Sequence, residues 1–248
     1  MILGADWDNT IKINHDVRKE DIEAINNFRK HNKFGVVTGR TLSMIKPELE
    51  KYHLGYDFLV CSNGTVVFGE DDNLISRIDM DHDEASELLS YLISKEMVFC
   101  LSDGIDFGYH RLNDATKNFI KGFGVKTYEE MLDRPYNGIF VRSDDHDVLC
   151  KLKSYIENKY HMNAAINRGN LDIYANSTNK AIGLAIIGKY YHDDKIYAIG
   201  DGGNDIDMIN AYGKMAMKDC SDDVKKYATS YFDYVKDCIA YIEGKDNG

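Results

Sequence analysis

Two carboxylates stand two residues apart in Asp6-Trp7-Asp8-Asn9-Thr10, directly after the apolar run Ile2 to Ala5. Carboxylates this close repel each other, which weakens a purely structural turn. If their protonation differs, one can act as nucleophile and the other as acid and base. The structural alternative is that Asp8 and Thr10 satisfy backbone groups in a turn. A second set, Thr38-Gly39-Arg40, ends the apolar run Phe34 to Thr38. Its hydroxyl can donate to a phosphate oxygen and Gly39 lets the backbone approach closely. Its structural alternative is a cap for the helix that follows. The third is Lys180, near a helix start after Ser177-Thr178-Asn179. A cation there opposes the helix dipole, and a neighbouring anion would repair the mismatch. The fourth, Gly200-Asp201-Gly202-Gly203-Asn204-Asp205, offers hard oxygen ligands for magnesium on a glycine-rich turn. Its alternative is a tight turn with Asn204 or Asp205 capping a helix.

These residues need elements to hold them. Ile2 to Ala5, Phe34 to Thr38, Phe58 to Cys61 and Ile196 to Ile199 are continuous apolar runs, and helical patterns separate the first three. That alternation predicts an α/β fold, a parallel sheet covered on both faces. Asp16 is expected to cap the first helix, which carries Ile22, Ile25 and Phe28 on one side; Leu42, Ile45 and Leu49 mark the second. Val66 to Phe68 and Leu74 to Ile78 read as a hairpin around the turn residues 69–73. From about His82 to Ala175 the expected order is helix, two strands, helix, strand, helix, two strands, an α+β unit inserted into the first. Its last strands are Ala164 to Asn167 and Leu171 to Tyr174. Core segments 1–80 and 176–248 then flank an insert at 81–175. In an open parallel sheet the ligand edge is the carboxyl end of the strands, where the chemistry-bearing clusters gather.

Composition narrows the function classes. A chain of 248 residues with 44% hydrophobic and 29% charged residues has material for a real core. A net charge of −11 repels nucleic-acid phosphates and anionic membranes, so neither is an expected partner. A phosphorylated substrate would then need a local cationic site and a metal. The five cysteines, Cys61, Cys100, Cys150, Cys220 and Cys238, are scattered and read as reduced thiols. The apolar stretch of the N-terminus is short for a signal peptide and no run is long enough to span a bilayer, so a cytoplasmic location is the expectation.

The order Asp6-x-Asp8-x-Thr10, then Thr38-Gly39-Arg40, then Lys180, then Gly200-Asp201-x-x-Asn204-Asp205 resembles the four motifs of the haloacid dehalogenase (HAD) superfamily. The insert between the second and third motifs, Ser62-Asn63-Gly64 before the hairpin, and the stretch 214–229 resemble its Cof-type branch with an α+β cap, subclass IIB. The resemblance covers nearly all of the chain. It departs where Asn9 replaces the usual glycine, and asparagine tolerates positive φ. Trp7 replaces a smaller residue, and strand alternation points its ring into the core.

The resemblance implies a Rossmann-like HAD core with an α+β cap and a magnesium-dependent phosphatase acting on a small phosphorylated metabolite, a sugar phosphate first. Asp6 is then the nucleophile, Asp8 the acid and base, and Thr38 and Lys180 compensate charge on the phosphoryl oxygens. Magnesium is implied at Asp6, Asp201, Asp205 and the Asp8 backbone carbonyl. The Trp7 backbone N–H, Gly39, Arg40, Asn63 and Asn204 are implied around the phosphate. The alternatives are a phosphomutase and a non-catalytic phosphometabolite-binding protein. A receiver domain also sets aspartate, threonine and lysine around magnesium, but in about half this length. Other acidic clusters have plainer readings: Asp79 to Glu84 and Asp144 to Asp147 as helix N-termini, Glu70 to Asp72 as a solvated hairpin tip. His110, Arg111, Asn167 and Arg168 are expected candidates for contacts in the insert.

Overall fold

The computed structural model describes residues 1–112, 114–121, 123–167 and 169–246. Strand β1 (Ile2–Ala5) leads into a small hairpin, β2 (Lys12–Ile13) and β3 (Asp16–Val17), then α1 (Lys19–Phe28), β4 (Lys33–Val37), α2 (Leu42–Tyr52) and β5 (Phe58–Cys61). The antiparallel pair β6 (Val66–Phe68) and β7 (Leu74–Arg77) follows. Next come α3 (His82–Ser94), β8 (Val98–Ser102), β9 (Phe107–Tyr109), α4 (Asp114–Phe119), β10 (Lys126–Thr127) and α5 (Tyr128–Leu132). This segment ends with β11 (Gly138–Arg142), α6 (His146–Lys159), β12 (Met162–Asn167) and β13 (Asn170–Ala175). The chain finishes with α7 (Lys180–Tyr191), β14 (Ile196–Gly200), α8 (Ile206–Ala211), β15 (Met215–Met217), α9 (Asp222–Lys225), β16 (Ser230–Phe232) and α10 (Val235–Asp246).

Two sheets result. The eight-stranded sheet runs β16-β15-β14-β1-β4-β5-β6-β7, parallel from β16 to β5 and antiparallel beyond. Leu3, Ala5, Phe34 and Val36 on one face pack with Ile25, Phe28, Ile45, Leu49 and Ile239. Ile2, Val37, Phe58 and Val60 on the other pack with Leu184, Ile187 and Met208. Period-two alternation along strands that are buried throughout thus places helices on both sides, the α/β arrangement expected. The six-stranded sheet, β10-β9-β8-β11-β13-β12, has its own apolar cluster under α3 and α6.

Two of the places where the units meet lie at the start of α2 and at Asn137. Backbone N–H groups of Leu42 and Ser43 donate to the carbonyls of Gly104 and Ile105, at 3.1 and 2.9 Å. The first donors of α2 are therefore met from the six-stranded unit, while its cap residue Thr41 makes no side-chain cap bond. Asn137 donates to the Ile78 carbonyl at 2.8 Å and accepts from the Thr65 hydroxyl.

Several local expectations change. Asp16 lies in β3, and Arg18 precedes α1 without a side-chain cap bond. The cause is the turn at Asn14 and His15, both at positive φ, which folds Asp16 back opposite Ile13. Glu70 and Asp72 are not merely solvated, since they pair with Lys33 and Lys46. Asp81 and Asp145 do cap α3 and α6 through their carboxylates. The short β10 and α5 add to the expected order of the insert, α5 opening with a Thr127–Glu130 capping box. All five cysteines are free, and four of them are buried. Among the described residues no helix is long and apolar enough to cross a membrane.

Candidate active site

Four adjacent parallel strands end side by side, and each hands the chain to a residue that sequence reasoning singled out. Asp6 follows β1, Thr38 follows β4, Ser62-Asn63-Gly64 follows β5, and Asp201 follows β14. The edge sits where backbone groups leave the sheet ladder and need new partners. Asp6 keeps its N–H on the Ile199 carbonyl at 3.0 Å, which fixes the root of its side chain. Asn9 adopts φ of 64°, so the turn forms without glycine. Trp7 is fully buried, packed in the core with its ring centroid 6.3 Å from that of Tyr52.

Lys180 is the first residue of α7 and is completely buried. Its ammonium donates to Asp6 Oδ1 at 2.6 Å and Asp205 Oδ1 at 2.5 Å. The unfavourable position at a helix N-terminus is thus offset by two carboxylates. Asp205 is equally buried, and its other oxygen accepts from the backbone N–H of Asp201 and Gly202 at 3.0 and 2.9 Å. Gly200 is required here, because a Cβ would sit 2.5 Å from the Asp205 carboxyl carbon. Thr10, fully buried, donates to Asp201 Oδ1 at 3.5 Å.

Asp6, Asp201 and Asp205 each offer a carboxylate oxygen, all within 4.8 Å of one another. Burial pushes the Asp6 carboxyl well above its usual range; Asp205 and Asp201 add to the rise and Lys180 opposes it. Burial alone would lower the Lys180 ammonium, but Asp205 and Asp6 outweigh it and hold the group above its usual value. Three buried carboxylates against one buried ammonium leave an excess of negative charge that a hard divalent cation fits.

The second motif takes a different partner. Arg40 Nε donates to Asp8 Oδ2 at 2.8 Å and its terminal nitrogen to Asp8 Oδ1 at 2.7 Å. Asp8 therefore points its carboxylate at Arg40 and is not among the three clustered acids. Thr38 is 1% exposed, and its hydroxyl accepts from the Arg40 backbone N–H at 3.1 Å. Ser62, Asn63 and Gly64 all have positive φ, at 47°, 56° and 96°. Left-handed backbone at serine and asparagine is strained, and such strain gathers at functional edges. Asn204 donates to Asn63 Oδ1 at 3.0 Å, so the third and fourth strand ends are tied together.

Asn63 in turn donates to Asp172 Oδ2 at 3.1 Å. Asp172 comes from β13 in the other sheet and was not foreseen. Its only signal in the sequence was a charge inside the otherwise apolar stretch 171–175. Of the foreseen residues in the insert, His110 stacks on Phe99 at 4.9 Å, on the helix-covered side of its sheet, and Arg111 pairs with Glu96. The Asn167 side chain and Arg168 lie outside the described residues.

Comparison with known proteins agrees with this fold. An uncharacterized protein of Mycoplasma capricolum is 27% identical over 243 residues, covering 86% of this chain and 88% of that protein. A Buchnera aphidicola protein provisionally named as a phosphatase is 27% identical over 201 residues, 77% of this chain and 71% of that one. Among solved structures, a HAD subclass IIB sugar phosphatase superposes with a TM-score of 0.84 at 19% identity, covering 98% of each chain. A haloacid dehalogenase-like hydrolase from B. subtilis gives 0.83 at 18% identity over 93% of each. At such identities these two speak for the fold. The family model of haloacid dehalogenase-like hydrolases matches residues 3–241, and the chain belongs to that family.

Proposed function

We propose that this hydrolase is a magnesium-dependent phosphatase of small phosphomonoesters, with residues 1–80 and 176–248 as catalytic core and 81–175 as cap. The observation that carries the reading is the buried set Asp6, Asp201 and Asp205 around Lys180, at the carboxyl edge of the parallel sheet. The named phosphatase relative and the sugar phosphatase structure support the same class.

A carboxylate oxygen of Asp6 attacks phosphorus, and the bond to the ester oxygen breaks. Asp8 gives that oxygen a proton, so a neutral alcohol leaves. Asp6 then carries the phosphoryl group as an acyl phosphate. Asp8, now ionised, takes a proton from water as the water oxygen attacks phosphorus, which frees phosphate and restores Asp6. Lys180 holds Asp6 in place and, with the Thr38 hydroxyl, faces negative charge on the phosphoryl oxygens. The backbone N–H groups of Trp7 and Gly39 and the side chains of Asn63 and Asn204 line the same edge. Magnesium, held by Asp6, Asp201 and the Asp8 backbone carbonyl with Asp205 behind them, supplies Lewis-acid charge compensation when bound. Both Asp205 oxygens already have protein donors, so its expected contribution is orientation and charge.

Phosphate release from a panel of phosphomonoesters, with magnesium or EDTA, tests the reading alongside Asp6→Asn. Metal-dependent turnover abolished by the substitution is the expected result. Turnover that survives it removes Asp6 as nucleophile.

A further inference from the structure

Among the transverse rows of side chains on the face of the six-stranded sheet that meets the site, the one through Asp172 lies nearest the loop of Gly39. Ala165, Asp172, Phe140, Cys100 and Tyr109 stand opposite one another across β12, β13, β11, β8 and β9. Directly paired residues on neighbouring strands project to the same face. Leu171, Ile173, Ile139, Val141 and Leu101, which alternate with this row, go into the cluster beneath the helices. The row therefore faces away from that cluster, and Met44 of α2 packs against the same face at Cys100 and Phe107.

Asp172 is the only charged member of the row. It is 6% exposed, and its Oδ2 would lie 3.3 Å from a Cβ placed on Gly39. A buried carboxylate thus abuts the loop proposed to hold phosphate. Among the described residues its one hydrogen-bond partner is Asn63, which engages Oδ2. Oδ1 has no protein donor there. That oxygen is not shut off from solvent, so a ligand hydroxyl can reach it. Burial pushes this carboxyl up to about 6, against the pull of Asn63 and Lys180. Beside it Phe140 is only partly buried, and Tyr109 at the row's far end is likewise partly open.

We infer that Asp172 selects the leaving group: its free oxygen accepts a hydroxyl close to the ester oxygen, while the apolar strip begun by Phe140 takes an apolar ring face. The inference rests on the phosphatase reading and adds to it the chemistry of the organic half of the substrate. It calls for a hydroxylated ring phosphate over an open-chain or unhydroxylated one. Asn63, tied to Asn204 on its other side, positions Asp172 and links it to the catalytic edge.

The test compares kcat/KM for ester pairs that differ by one or two hydroxyls near the ester: glycerol 3-phosphate and propyl phosphate, glucose 6-phosphate and 4-deoxyglucose 6-phosphate, ribose 5-phosphate and 3-deoxyribose 5-phosphate. Wild-type protein is expected to prefer the hydroxylated member of at least one pair by about 10- to 100-fold, the scale of a hydrogen bond to a charged group. Asp172→Ala should collapse that preference to within about threefold, and Asp172→Asn to an intermediate value. Phe140→Ser should weaken ring esters more than glycerol 3-phosphate. A preference that survives in Asp172→Ala, or an equal loss on both members of each pair, overturns the inference. Wild-type protein that also leaves p-nitrophenyl phosphate intact overturns the phosphatase reading itself. Thermal unfolding of each variant confirms that it is folded.

Discussion

Arg40 grips Asp8 at both carboxylate oxygens, at 2.8 and 2.7 Å. Both oxygens of the proposed acid and base thereby accept from a guanidinium, and this contact competes with the approach of Asp8 to a leaving oxygen. Side-chain exposure of Asp8 is 48%, which leaves it room to swing.

Asp8→Asn is therefore expected to lower kcat by about 10²- to 10⁴-fold on alkyl phosphates, the range for a lost proton donor. On p-nitrophenyl phosphate the first step needs no proton, because nitrophenolate departs without one, so the variant should release a burst of nitrophenolate and then stall at hydrolysis of the acyl phosphate, which still needs Asp8 as base. Pre-steady-state kinetics with the two ester types decide this. A first step slowed equally for both esters would remove Asp8 as the proton donor.

Lys180→Met removes the ammonium between Asp6 and Asp205 and leaves buried carboxylates facing one another. The expected cost is about 3–5 kcal/mol in metal-free protein, together with loss of turnover. Urea unfolding in EDTA measures it. Wild-type stability in that variant would show that the pair contributes nothing net to the fold.

Magnesium should stabilise the protein at neutral pH, because the folded state gathers three carboxylates that the unfolded chain disperses. At about 100 times its dissociation constant the gain is about 2.7 kcal/mol, or a melting shift of roughly 5–10 °C. Asp201→Asn should lose most of that shift. Differential scanning calorimetry with and without magnesium gives the answer, and identical melting curves for wild type would count against a metal at this site.

Asp172 gives a pH signature of definite sign. Its folded value is about 6, above the ordinary carboxylate value, so the folded state holds its proton over a range where the unfolded chain has released it. The stability this proton confers is present below about pH 4 and is lost as pH rises through about 6. The loss amounts to roughly 3 kcal/mol, the free energy of moving a titration by about two pH units. Asp172→Asn should accordingly be more stable than wild type above pH 7 and no more stable below pH 4. Paired melts across pH 4–8 check it. A constant difference at all pH values would remove ionisation of Asp172 as the cause.

The sequence was most legible where chemistry and periodicity coincide. Asp6, Thr38 and Asp201 each terminate a continuous apolar strand, and their order along the chain became adjacency because parallel strands end on one edge. Lys180 was readable for a second reason, since a cation at a helix start is unfavourable until an anion explains it. Asp172 was hidden because strand alternation gives a face but not what lies opposite that face. Asp16 misled because the left-handed turn at Asn14 and His15 leaves only a faint trace in residue types. The Asp8–Arg40 pair was equally out of reach: both residues had been given roles toward substrate, and nothing in their spacing says that they meet.

The contact between Asp6 and Lys180 spans 174 positions, and that from Thr10 to Asp201 spans 191. During synthesis Asp6 leaves the ribosome well before the cation and the two later aspartates. The six-stranded sheet, drawn without interruption from residues 98–175, is complete while β1 still waits for β14 on one side. Domains generally fold as units during synthesis, and long-range strand pairing comes late. On the proposed reading, a copy that stops before residue 205 folds its substrate-facing sheet yet lacks part of the acidic set around Lys180, and it is expected to be chemically silent.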